Sequence, residues 1–84
     1  MQWKNTPNPN ALKCDIGVPV GGPATYKLTD KIDRPFVVEL LNIPEVMSIF
    51  LTADFVSVTK SPEGDWNLIA PGAMAVLQNE FGSE

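Results

Sequence analysis

The stretch VMSIFLTADFVSVTK, residues 46–60, constrains the fold more than any other. Two runs rich in β-branched and aromatic residues, Val46–Leu51 and Phe55–Lys60, flank the connection Thr52-Ala53-Asp54. Both alternate with period two, which predicts a β-hairpin. Met47, Ile49, Leu51, Val56 and Val58 fall on one face, and Val46, Ser48, Phe50, Phe55, Ser57 and Thr59 on the other. The first set is the more apolar and is assigned to the core.

The remaining segments read around this hairpin. Met1–Lys4 is expected as a short strand carrying Trp3. Ala11–Ile16 alternates, with Leu12, Cys14 and Ile16 inward and Lys13 and Asp15 outward. Residues 17–24, GVPVGGPA, are turn chemistry, and Thr25–Leu28 is a second short strand. Asp33 is expected to cap a helix with Pro35 in its first turn and Phe36, Val37, Leu40 and Leu41 on one face; Pro44 stops it. Ser61–Asp65 is a turn, and Trp66–Ile69 is expected as a last strand. Pro71 opens a second helix with a stripe of Ala73, Met74, Leu77 and Phe81, closed by Gly82. Strands punctuated by helices and hairpins predict an α+β fold: one antiparallel β-sheet with two helices packed on one face, a two-layer sandwich. A chain of 84 residues holds a single domain, 1–84. If the helices cover one side only, Phe50 and Phe55 lie on the uncovered side. There they mark a partner site, brace each other across the hairpin, or lie under a loop.

The residue inventory narrows the chemistry. There is no histidine and one cysteine, so Ser–His and Cys–His acyl transfer are excluded, and no enzyme is expected. Glu63 and Asp65 are the nearest thing to paired carboxylates, and their spacing suits a solvated turn. A net charge of −4 and scattered Lys and Arg argue against nucleic acid. No apolar run approaches the ~20 residues of a membrane span. The lack of a leader-like N-terminus and the lone thiol fit a cytoplasmic protein. Strand alternation turns Cys14 toward the core, where a thiol behaves as a small hydrophobe and its pKa rises. No metal site is expected; the alternative is iron held by Cys14 with Asp15.

The segment NTPNPN, residues 5–10, is stiffened by Pro7 and Pro9. Its asparagines suit either turn formation or recognition.

Two stretches carry a family likeness: TPNPNALK (6–13) and VMSIFLTADFVSVTK (46–60), supported by Asn42-Ile43-Pro44-Glu45-Val46 and Trp66. With these the chain resembles the N-terminal domain of the Nfu/NifU-type scaffold proteins of iron–sulfur cluster biogenesis. The resemblance implies an α+β domain in which cluster binding belongs to a separate CxxC-bearing domain. Position 14, usually Phe in the family, is Cys here, again an apolar site. The implied function is a non-catalytic protein-binding module, with iron or an iron–sulfur cluster implied by the family and none bound directly. Its partners would be iron–sulfur assembly proteins or client apoproteins, and the chain is expected as a monomer. Candidate contacts are Thr6, Asn8 and Asn10 in the loop, set beside the hairpin turn, and Asp54, Phe55, Thr59 and Lys60 in the hairpin. A direct iron carrier and a regulator unrelated to cluster assembly are the alternatives.

Overall fold

The computed structural model describes residues 2–82. Its strands are β1 (Trp3–Asn5), β2 (Ala11–Asp15), β3 (Ala24–Lys27), β4 (Val46–Thr52) and β5 (Phe55–Lys60); its helices are α1 (Pro35–Leu41) and α2 (Trp66–Phe81). The strands form one antiparallel sheet in the order β1-β2-β5-β4-β3.

The hairpin at the centre forms as its alternation predicts. Thr52 pairs with Phe55, which leaves Ala53 and Asp54 as a two-residue turn, one residue shorter than expected. Ala53 takes a φ of 49°, the left-handed geometry that such tight hairpin turns require. Register then sorts the side chains. Leu12 pairs with Val58 and Cys14 with Val56, while Ile49 pairs with Val58 and Leu51 with Val56. Directly opposed residues share a face, so these six define the helix side. Cys14, Ile49, Leu51, Val56 and Val58 are buried there with Phe36, Val37 and Leu40 of α1 and Ile69, Ala73 and Leu77 of α2. Full burial of each large side chain contributes roughly 1.5–3 kcal/mol.

The expected core set fails at Met47, which is 56% exposed, while Val46, expected outside, is buried. A bulge between Val46 and Ser48 is the cause: the extra residue shifts the alternation, so Val46 pairs with Lys60 on the helix side. Glu45, just before it, holds a φ of 74°. Its backbone is tied down by Ser61, whose N–H donates to the Glu45 carbonyl at 2.8 Å and whose hydroxyl reaches the Glu45 carboxylate.

Both helices begin differently from the expectation. Arg34, not Asp33, holds the N-cap position of α1, with Pro35 as the first helical residue. Its guanidinium donates to the Val20 carbonyl at 2.6 Å instead of capping the helix. In α2 the expected strand Trp66–Ile69 is the first helical turn. Asp65 caps it by accepting from the Asn67 N–H at 2.9 Å, and Ile69, Ala73 and Leu77 form a buried stripe. Pro71 therefore sits inside the helix. The N–H it lacks would have bonded the carbonyl of Asn67, an exposed residue that water can reach. Gly82 takes the C-cap position as expected. Phe81 closes the core edge-on against Phe36, with ring centroids 5.1 Å apart.

Candidate partner-binding surface

With both helices on one side, the other face of the sheet carries no covering layer among the described residues. Register places Lys4, Lys13 and Asp15 there from β1 and β2, Phe55, Ser57 and Thr59 from β5, Ser48 and Phe50 from β4, and Thr25 and Lys27 from β3. Phe50 and Phe55 are diagonal neighbours whose rings tilt against each other at 6.3 Å between centroids. Phe50 keeps 36% of its surface exposed. The Lys13 ammonium lies 5.0 Å from the centre of the Phe55 ring, a cation–π contact. Lys4 and Asp15 form an ion pair of 2.5 Å, with both side chains half-exposed. The rings thus brace each other and remain accessible at the same time.

The loop residues are engaged differently. The Thr6 hydroxyl lies within hydrogen-bond reach of the Asn8 and Ala11 carbonyls, at 2.8 and 3.0 Å, and accepts from the Asn8 N–H. The Asn8 side-chain oxygen accepts from the Asn10 N–H at 2.9 Å. The Asn10 side-chain oxygen accepts from the Lys60 ammonium at 3.0 Å. Trp66 donates its indole N–H to the Pro9 carbonyl at 3.2 Å, and the loop and Trp66 wall a cleft of about 340 Å³. Trp3 likewise donates to the Ala70 carbonyl at 3.3 Å, joining β1 to α2. These bonds answer what NTPNPN does locally: it folds on itself and is clamped to β5 and α2.

The candidate residues therefore separate into three places. Phe55 and Thr59 lie on the open face. Lys60, next in sequence, points to the helix side, is only 8% exposed and meets Asn10 and the Ser61 carbonyl. Asp54 sits in the hairpin turn, where its carbonyl accepts from the Ile16 N–H at 2.7 Å. Ala11 pairs with Thr59 and Asp15 with Phe55, so the loop before Ala11 lies at the end of β5 away from Asp54. The expectation that NTPNPN stands beside the hairpin turn is corrected by the whole length of β2. Lys13, Lys4 and Lys27 belong to the open face but were not among the candidates. Outward alternation of Lys13 was legible; its position over Phe55 depends on cross-strand register.

Cys14 and Asp15 do not converge. The thiol is 0% exposed, and burial pushes its pKa up, which suppresses the thiolate. Asp15, one residue on, projects to the opposite face and is held by Lys4. Among the described residues there is no group of three or more His, Cys, Asp or Glu placed to hold a metal ion. The residues present do not fit an iron or cluster site. No helix among the described residues is long and apolar enough to cross a membrane.

The family described as "Scaffold protein Nfu/NifU N terminal" matches residues 1–84. The chain is 37% identical to the human "NFU1 iron-sulfur cluster scaffold homolog, mitochondrial" over 87 aligned positions, covering 99% of this chain and 34% of the human protein. The corresponding Drosophila erecta protein is 36% identical, with 31% of its length covered. The chain thus spans about a third of the length of these curated relatives. Among solved structures, Staphylococcus aureus SAV1430 superposes with a TM-score of 0.80 at 31% identity, covering 90% of this chain and 94% of that one. A NifU-like protein from Saccharomyces cerevisiae gives 0.79 at 26% identity, covering 93% and 74%. The family match extends over the full sequence, and the chain belongs to the Nfu/NifU scaffold N-terminal family.

Proposed function

We propose that this chain is a non-catalytic protein-binding module of iron–sulfur cluster assembly, and that it docks its partners through the open face of the sheet. The observation that carries the reading is the Phe50–Phe55 pair, with Phe50 exposed and Phe55 half-buried, on a face with no described helix over it. Aromatic side chains in such positions dominate binding energy when a partner desolvates them. Membership of a scaffold family supports the setting, and the partners are cluster-assembly proteins or client apoproteins. The cluster is their cargo; this domain supplies the contact and not the ligands. The module acts as a monomer in a reducing compartment, cytoplasm or mitochondrial matrix, where its single thiol needs no partner.

The test is capture of purified iron–sulfur assembly proteins and client apoproteins from the same cell by the immobilised chain and by its Phe50→Ser/Phe55→Ser variant. Affinity that falls by tenfold or more in the variant supports the face as the site, in line with ~2 kcal/mol for an aromatic hot spot. Equal capture by both proteins rejects it.

A further inference from the structure

The open face is charged as well as aromatic, and on the docking role proposed above its charge selects the partner. The chain carries six Lys and Arg against ten Asp and Glu. Register nonetheless places Lys4, Lys13 and Lys27 on this face, with Asp15 the one acidic residue there among the described residues. Lys4 neutralises Asp15 through their ion pair, which leaves Lys13 and Lys27 as the face's unbalanced charges. The rim contributes two more acids. Asp54 lies in the hairpin turn, and Asp30 follows β3, with its carboxylate accepting from the Lys27 backbone N–H at 2.8 Å. Asp33, Glu39, Glu45, Glu63, Asp65 and Glu80 belong to the helices and their flanking loops, against Lys31, Arg34 and the inward-pointing Lys60. The acidic excess of the described residues therefore lies on the helix body, and the sheet face bears Lys13 and Lys27 inside a rim that balances them.

Geometry adds spacing. Lys13 stands on β2 and Lys27 on β3, three strand intervals apart and two residues out of register, since Lys13 lies level with Ser57, Phe50 and Thr25 and Lys27 with Ser48; the separation is ~16 Å. Phe50 on β4 lies between them, and Phe55 on β5 flanks Lys13 on the side away from Lys27. An extended segment advances ~3.3 Å per residue, so about four to five residues cover that gap.

We propose that the open face binds an acidic protein segment that presents an aromatic or branched aliphatic side chain between two carboxylates about four to five residues apart. The apolar side chain seats against Phe50 and Phe55, and the carboxylates pair with Lys13 and Lys27. Two free lysines are too few for a phosphate backbone or an anionic bilayer, which take a cluster of basic residues, and the net charge of −4 repels both. A short acidic segment meets the local field without approaching the acidic body.

The test is an NMR titration of the isotope-labelled chain with a capped peptide carrying a central Phe between two pairs of Glu. The controls are the same peptide with Lys for Glu, and vesicles rich in phosphatidylserine. The expected result is shifts at Lys13, Thr25, Phe50, Phe55 and Ser57, affinity falling as salt is raised, and about a tenfold loss in Lys13→Glu/Lys27→Glu. The milder Lys13→Gln/Lys27→Gln variant should fall between. Both pairs are solvent-facing, so the variants should keep the wild-type backbone spectrum. No binding of the acidic peptide, equal binding of the basic one, shifts confined to the Trp3–Trp66 side, or preference for the vesicles would each overturn the proposal. So would concentration-dependent shifts without peptide, which would assign the face to a second copy. If the peptide fails while Phe50→Ser/Phe55→Ser still abolishes capture of assembly proteins, the acidic specificity is wrong and the docking face stands. If that variant captures normally, the docking role itself fails.

Discussion

Lys60 and Asn10, fifty residues apart in sequence, meet across the top of the sheet: the ammonium donates to the Asn10 side-chain oxygen at 3.0 Å. The lysine is nearly buried, and among the described residues its one other hydrogen-bond acceptor is the Ser61 carbonyl at 3.2 Å, with the Trp66 ring 5.8 Å away. A buried charge that loses an acceptor is costly, so Asn10→Ala should destabilise the fold by about 1–3 kcal/mol. At ~4–8 °C per kcal/mol for a domain of this size, thermal unfolding would show it clearly. Lys60→Met in the Asn10→Ala background should restore part of the loss, because both polar partners are then gone. An unchanged melting temperature in Asn10→Ala would mean that the contact contributes nothing.

Gly22 and Gly17 make a matched pair of tests. Both hold left-handed backbone, with φ of 88° and 89°. A Cβ on Gly17 would meet nothing within 4 Å, whereas on Gly22 it would overlap the Leu51 carbonyl. Gly17→Ala should therefore cost about 1 kcal/mol from conformation alone. Gly22→Ala should cost that plus a steric displacement of β4, about 3 kcal/mol or more. Urea midpoints compare the two directly, and equal midpoints would remove the steric argument.

Cys14 should behave as a core residue. An aromatic disulfide reagent should react slowly with the native chain and at the ordinary thiol rate in denaturant. Cys14→Val, which fills a similar volume, should fold normally, while Cys14→Ser should lower stability by leaving a hydroxyl among apolar side chains. Anaerobic incubation with iron and sulfide should give wild type and Cys14→Val the same absorption spectrum. Stoichiometric colour present only in wild type would show that the thiol is a ligand and that the packing around it opens.

The hairpin, the inward turn of Cys14 and the bare sheet face were legible because each rests on period-two alternation within one segment. Met47 and Val46 were misplaced because a bulge shifts that alternation by one residue without any mark in composition. Pro71, favoured at a first helical position, sets the expected start of α2 too late and leaves Trp66–Ile69 as a strand. Asp65, four residues before Ile69 and eight before Ala73 of the buried stripe, is the better signal, since its carboxylate caps the first turn by accepting from the Asn67 N–H. For the site, Phe50 and Phe55 were visible from the sequence. The separation of Lys60 from Thr59, and the gathering of Lys4, Lys13 and Lys27, depend on which strands are neighbours. That information lies between segments and not within them.

The Lys4–Asp15 pair links acid sensitivity to the open face. A hydrogen bond from Lys4 holds the Asp15 carboxyl below its ordinary value, and Asp15 raises Lys4 in return. Asp15 therefore adds stability above the ordinary carboxylate range, and this is lost as pH falls through its lowered folded-state value. Lys4 adds stability below the ordinary lysine value, lost as pH rises through its raised one. The pair is exposed to solvent, so the effect is small and screened by salt. In Lys4→Met the Asp15 carboxyl, followed by carbon NMR, should titrate higher than in wild type. The stability gap between the two proteins should be widest near neutral pH and close in strong acid. Freed of its partner, Asp15 also places an unbalanced negative charge opposite Phe55. Lys4→Met should then bind the acidic peptide more weakly than wild type at neutral pH and approach it as Asp15 protonates. A variant that binds the peptide as well as wild type at every pH would show that the charge of this face does not select its partner.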